Sequence, residues 1–229
     1  MSAPYLLAIE SAGQEASAAL LRGEELVAEI ACPPGAGVAE TLLPRVHELL
    51  SGAGLGLDAI AAYAVSVGPG SFTGLRIGIA TVKGLAFGSA CPVVPVPTLA
   101  ALARSAGRTG ATAVALLDAR RGELFAGAWE RGGERAHASV PEGIYRPQEL
   151  APHLPEGALL VGEGIALLEA AGVGGNFGRV APPGGRLAAR HVGALGVRLL
   201  ARGGGMAAAD LVPRYGRRAA AEARRTGLR

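Results

Sequence analysis

The segment whose residue types and spacing could do chemistry is Gly68-Pro69-Gly70-Ser71-Phe72-Thr73-Gly74-Leu75-Arg76-Ile77-Gly78. It follows an apolar, strand-like stretch and opens a helix. Backbone N–H groups at such a helix start can hold an anion, and Ser71 or Thr73 can cap the helix. Gly70, Ser71 and Thr73 are therefore candidates for facing a phosphate. No Gly-Lys-Ser/Thr follows, so the lysine of a P-loop is missing. The same glycines also suit a purely structural turn, because Gly74 and Gly78 sit four apart and bare one helix face for close packing.

Two acidic residues end strands in matching positions. Glu10 precedes the turn Ser11–Glu15, and Asp118 precedes Arg120-Arg121-Gly122. In a two-lobed ATPase such hairpins face each other and position phosphates and a metal, which makes Glu10, Asp118 and Arg120 candidates to face a nucleotide. Neither turn is glycine-rich, however, and bracing of the turns accounts equally for both acids. Metal ligands are poorly supplied: His47, His137, His153 and His191 form no i, i+3 or i, i+4 pair, and Cys32 and Cys91 are far apart. There is no Gly-x-Ser-x-Gly elbow and no legible nucleophile–base pair. The expectation is no catalytic residue and no metal site.

The elements that must position these residues follow from periodicity. Tyr5–Ile9, Ala16–Leu21 and Leu26–Ala31 read as strands joined by tight turns. Leu42, Leu43, Val46, Leu49 and Leu50 recur at helical spacing, with Thr41 as N-cap and Pro44 in the first turn. Ile60–Val67 is a strand, Thr73–Phe87 a helix of small residues, Pro92–Val96 a strand and Leu99–Ser105 a helix capped by Thr98. The second half restarts with strands at Ala111–Leu117, Glu123–Trp129 and Ala136–Val140. A short helix Gln148–His153, a strand Ala158–Val161 and a helix Ile165–Ala171 follow, and Arg190–Ala201 ends at Gly203-Gly204-Gly205.

A β-β-β-α-β-α order used twice predicts an α/β chain of actin-like ATPase (ASKHA) architecture. Its two ribonuclease-H-like lobes would span residues 1–107 and 108–229. An ordinary doubly wound sheet would begin β-α-β instead.

The 229 residues suffice for two small cores, and half are hydrophobic, which argues against disorder. Apolar runs break well short of membrane-spanning length. Met1-Ser2-Ala3-Pro4 offers no basic n-region, so no secretory signal is expected. One disulfide between Cys32 and Cys91 is open in principle, but two buried free thiols in a cytoplasmic protein fit the cysteine usage better. The net charge is +3, but residues 214–229 hold six Arg and one Glu, a net +5, leaving −2 for the rest. Lys83 is the single lysine, so arginine-richness by itself does not mark nucleic-acid binding.

Residues Gly68–Gly78, with Leu7-Ala8-Ile9-Glu10 before them and Asp118-Ala119-Arg120-Arg121-Gly122-Glu123 after, closely resemble the TsaB (YeaZ) family. The likeness runs through Glu40-Thr41-Leu42-Leu43-Pro44, Pro95–Leu102 and Leu160-Val161-Gly162-Glu163-Gly164, and ends near Pro213-Arg214-Tyr215. It is strong over the first hundred residues and looser afterwards. The resemblance implies a non-catalytic paralogue of the transferase that attaches threonylcarbamoyl to the adenosine next to the tRNA anticodon. That enzyme carries a His-x-x-x-His metal site after the strand matching Val93–Val96, where this chain has Thr98 and Leu102.

The implied partners are the catalytic TsaD-type transferase, a TsaE-type ATPase subunit and, indirectly, tRNA, with a homodimer when the chain is alone and no membrane. No cofactor is implied, ATP or ADP entering only within the complex. In the family two helices form a four-helix bundle with the transferase. On that basis Leu42, Val46, Leu75, Ile79 and Val82 are the expected contacts. Glu10 replaces a usual Asp, and Val38-Ala39 a common His-Ser pair. Rival classes are a small-molecule kinase, a peptidase acting on the transferase, and an RNA-binding module using the arginine-rich tail.

Overall fold

The computed structural model describes residues 3–107, 111–130, 133–180 and 185–216. The first lobe opens with three antiparallel strands, β1 (Tyr5–Glu10), β2 (Ser17–Arg22) and β3 (Glu25–Ala31). Helix α1 (Val38–Gly52), strand β4 (Ile60–Gly68), helix α2 (Phe72–Ala86), strand β5 (Val93–Pro97) and helix α3 (Thr98–Arg104) follow. The sheet order is β3-β2-β1-β4-β5, with β4 parallel to both β1 and β5.

The second sheet holds β6 (Ala113–Arg120), β7 (Glu123–Glu130), β8 (Arg135–Ala136), β9 (Gly143–Tyr145), β10 (Leu159–Val161) and β11 (Gly178–Arg179). Its order is β11-β10-β6-β7-β8, with β9 also on β7, β10 parallel to β6 and to β11, and β7 antiparallel to β6. Helices α4 (Pro147–Leu150) and α5 (Ile165–Ala170) belong with it, and α6 (Ala189–Ala201) follows in the chain.

Strands β1, β2, β4, β6 and β7 are buried almost throughout, as two-sided coverage requires, while the edge strand β3 is not. Leu7, Ile9, Leu20 and Val65 face α1 and α2 in one core; Leu6, Ala8, Leu21 and Ala64 face α3 and α6 in another. Helix α6 therefore lies on the first sheet, although it comes last in the chain. Gly193 and Gly196 allow this, since a Cβ at either would overlap or crowd Leu21 or Ala64. Helix α6 ends in a Schellman motif: Gly204 N–H donates to Leu199 O (2.8 Å), Gly203 N–H to Leu200 O (2.9 Å), with Gly203 at φ 81.

Three local expectations are corrected. Helix α1 begins at Val38 with Gly37 as N-cap, so Thr41 lies inside it, bonding back to Gly37 O (2.8 Å), and Pro44 falls mid-helix. Thr98 starts α3 but does not cap it; Pro97 is the N-cap. The strand expected over Ala136–Val140 is reduced to Arg135–Ala136 because Ser139 turns back onto His137, and β7 takes β9 as its next partner. The boundary residues 108–110 and the arginine-rich segment 217–229 lie outside the described residues.

Candidate functional site

Strand β1 delivers Glu10 into the interior beneath the β1–β2 loop. Its carboxylate is fully buried, accepts N–H bonds from Ala12 (2.5 Å) and Gly13 (3.2 Å), and accepts the Ser66 hydroxyl of β4. Burial drives the Glu10 pKa up to about 7, against the pull of Ser66 and the loop N–H groups. The loop donors that would cradle a phosphate in an ATPase hairpin are thus bonded to the chain's own carboxyl group. Glu10, expected to face a nucleotide, faces inward instead.

The glycine-rich run is where this loop docks. Ser71 N–H donates to Ala12 O (2.8 Å), and the Ser11 hydroxyl donates to Gly74 O (2.8 Å). A Cβ at Gly74 would overlap the Ser11 carbonyl, one at Gly78 the Ser11 hydroxyl, and one at Gly70 would lie 2.6 Å from Ala12 O. Ser71 caps α2 through Gly74 N–H (3.2 Å), and Thr73 is exposed. Thr98 is fully buried, and its hydroxyl accepts Gly68 N–H (3.0 Å).

The second hairpin is polar and open. Asp118 accepts the Arg120 N–H (2.7 Å) and meets its guanidinium at 3.4 Å, while Arg120 and Arg121 both take left-handed backbone. Glu163, after β10, accepts from the Asp118 N–H and from Gln14, so both hairpins meet at its carboxylate.

The outer surface of α1 and α2 carries three exposed large apolar side chains; the others among the described residues are Leu26, Val27, Leu57 and Val212. The residues expected as partner contacts, Leu42, Val46, Leu75, Ile79 and Val82, are all buried within this chain. The correction is physical: the strongest apolar stripe of a helix packs on its own sheet. What faces outward is Leu43 (52% exposed), Phe72 (41%) and Phe87 (88%), with Arg76, Ala80 and Gly84 continuing from Phe72 every fourth residue. Arg76 lies 3.9 Å over the Phe72 ring and donates to the Tyr215 hydroxyl (2.8 Å), while Tyr215 packs on Phe72 at 4.8 Å. Nothing local in the sequence signals this cluster, since Arg76 and Tyr215 are 139 residues apart.

The structure also brings together a serine and a histidine that the sequence left apart. Ser139 Oγ lies 2.8 Å from His137 Nδ1, and Glu130 lies 3.7 Å from Nε2. The Ser139 N–H also donates to Nδ1 (3.2 Å), so the ring nitrogen that a base would need already closes a local turn. Among the described residues no three His, Cys, Asp or Glu side chains gather as a metal set, and no helix is long and apolar enough to cross a membrane.

Two buried titratable groups set opposing pH dependences. Glu10 keeps its proton to about pH 7 when folded but to 4.5 when unfolded, so its contribution is lost as pH rises from about 4.5 to about 7. His191 on α6 is pushed down to about 4 by burial and by Arg190 and Arg104, from 6.5. Its contribution is lost as pH falls from about 6.5 toward 4. Each is on the order of 3 kcal/mol at most. The partly exposed Glu142 and Glu163, raised by burial, tilt weakly with Glu10. Denaturant titrations from pH 4 to 7 should show a shallow profile for the parent. Glu10→Gln should give stability rising with pH and His191→Gln stability falling with pH; unchanged slopes would refute the assignment.

Two mixed α/β sheets with helices on both faces are the architecture of the actin-like ATPase class. The (R)-2-hydroxyglutaryl-CoA dehydratase component A from Acidaminococcus fermentans shares this fold at 11% identity, with a TM-score of 0.52 over 87% of this chain and all of that one. The family model described as TsaD, tRNA N6-adenosine threonylcarbamoyltransferase, matches residues 37–181. A Pseudomonas aeruginosa structure, described as an uncharacterized protein with similarity to peptidase YeaZ, is 32% identical. It covers 93% of this chain and 100% of its own, with a TM-score of 0.81. The Haemophilus influenzae tRNA threonylcarbamoyladenosine biosynthesis protein TsaB is 40% identical over 124 residues, 52% of this chain and 51% of that one. The chain belongs to the TsaB (YeaZ) family, within the wider group the TsaD model describes. Its aligned part spans between 51% and 63% of the length of the curated TsaB relatives it matches.

Proposed function

We propose that this chain is a non-catalytic subunit that binds a TsaD-type transferase through the outer face of α1 and α2 and supports formation of N6-threonylcarbamoyladenosine in tRNA. The observation that carries this reading is the state of Thr98 and Leu102. These positions match the metal-binding histidines of the transferase by resemblance, and here one is a buried acceptor for Gly68 N–H and the other a core leucine. A chain with the transferase's family pattern and no ligand at either position has kept a fold and a surface rather than a reaction.

The two sheets, each with its first strand central and its third at one edge, support reading residues 1–107 and 108–229 as two copies of one β-β-β-α-β-α unit, with α6 an addition to the second that returns to the first sheet. A TsaE-type ATPase subunit and tRNA complete the proposed assembly, in the cytoplasm, with ATP or ADP entering only there. Alone, the same apolar face would pair with a second copy, because large apolar patches are rarely left wet. The inward-turned Glu10 weighs against a small-molecule kinase, and the His137–Ser139 turn weighs against a peptidase.

Reconstitution tests the proposal. Transferase, ATPase subunit, threonylcarbamoyl-AMP and tRNA are combined with and without this chain, and modified adenosine is quantified by mass spectrometry. Product is expected only when the chain is present, with no ATP turnover and no cleavage of the transferase by the chain alone. Equal product without the chain would overturn the activating role.

A further inference from the structure

Where the β1–β2 loop faces the ends of β6, β10 and β11 lies a cleft of about 670 Å³, lined by no residue of α1 or α2. That volume falls within the roughly 300–1,000 Å³ of small-molecule sites. Leu102, Leu117, Ile165 and Leu187 give it an apolar floor. Its charged groups among the described lining are three carboxylates against two guanidinium groups. Both guanidinium groups are already engaged, Arg186 with Glu15 (2.6 Å) and Arg179 with Glu169 (3.1 Å). The third carboxylate, Glu163, takes its hydrogen bonds from two neutral donors, the Asp118 N–H and Gln14. The nearby Arg120 guanidinium is itself turned to Asp118.

We infer that this cleft binds a small amphipathic cation, an ammonium or amidinium head on Glu163 and a flat apolar body on the leucine floor. The alternative occupant of a cleft between two such sheets, a nucleotide, meets the wrong chemistry. The Ala12 and Gly13 N–H groups are bonded to Glu10, both arginines are paired, and the surplus charge is negative. A buried phosphate without donors or a counter-cation is strongly disfavoured. A cation beside a partly desolvated carboxylate gains a charge-assisted bond that no ion pair among the described residues supplies to Glu163.

The test uses the full chain and four probes: benzamidine, its neutral isostere benzamide, benzoate, and ATP. Binding is followed by amide chemical shifts, with affinities from titration. Benzamidine should move the amides of Gly13, Gly162, Glu163 and Ala166 and bind more tightly than benzamide, with benzoate and ATP weakest. Glu163→Gln, conservative and at the cleft mouth, should weaken benzamidine about tenfold, the scale of one hydrogen bond to a charged group, and leave benzamide unchanged. Ala166→Trp should abolish binding of both by filling the cleft. Benzoate or ATP binding as tightly as benzamidine, silent cleft amides with every probe, or full benzamidine affinity in Glu163→Gln would each overturn the inference.

Discussion

Gly74→Ala is expected to destabilise the chain by about 3 kcal/mol or more, while Gly84→Ala, ten residues along the same helix, is expected to stabilise it by about 0.5 kcal/mol. The contrast comes from what each added methyl meets. At Gly74 it overlaps the Ser11 carbonyl, a backbone atom held by the Glu10–Ala12–Gly13 bonds and by Ser11 Oγ on Gly74 O. Relief requires the β1–β2 loop to lift from α2, which would strip the buried Glu10 of its partners. At Gly84 the methyl meets nothing within 4 Å, so only the backbone entropy of the unfolded chain changes. Thermal denaturation should read the loss at Gly74 as a fall of about 6–12 °C. A Gly74→Ala protein as stable as its parent would mean the close packing of loop on helix is wrong.

Leu43→Glu with Phe87→Glu should cut affinity for the transferase at least about thirtyfold, near 2 kcal/mol, with stability changed by no more than about 0.5 kcal/mol per site. Both side chains are large, apolar and exposed in the isolated chain, so replacing them removes no core contact. In an interface they would be central, and a carboxylate there would be desolvated without a partner. Sedimentation of the mixed subunits and the modified-adenosine yield report the two halves of the prediction. Variants that bind and activate normally would move the docking surface elsewhere. The matched pair Leu42→Ala and Val46→Ala should do the reverse, losing stability through core cavities by about 1–5 kcal/mol each.

The first lobe was legible because its signals are local. Short apolar runs with turn residues between them gave β1 to β4, and the glycine run marked the strand-to-helix turn at α2. Reading Gly68–Gly78 as a structural turn needed only the spacing of its glycines. The outward-facing apolar residues were not legible, for a reason intrinsic to helices. One residue step rotates a side chain by about 100°, so Leu42 points to the core and Leu43 to solvent, yet periodicity registers both as one stripe. Nor could the inward turn of Glu10 be read, since it depends on Ser66, 56 residues away. The third strand of the second lobe failed because apolar content over Ala136–Val140 hid a His137–Ser139 turn and a proline at 141.

The placement of α6 has a consequence for synthesis. The inner face of the first sheet is complete once β5 ends at Pro97; α3 follows at once, but the helix that covers β1 and β2 on that face begins only at Ala189, about ninety residues later. At a translation rate of roughly 5–20 residues per second, that part of the face stays open on the ribosome for on the order of ten seconds. The bonds that close it, Ala189 N–H to Ser17 Oγ and Arg198 to Glu24, join residues more than 170 positions apart. Contacts of such high contact order form late and slow folding. The N-terminal hundred residues, the most recognisable part of the chain, therefore cannot reach their native form before α6 has been made.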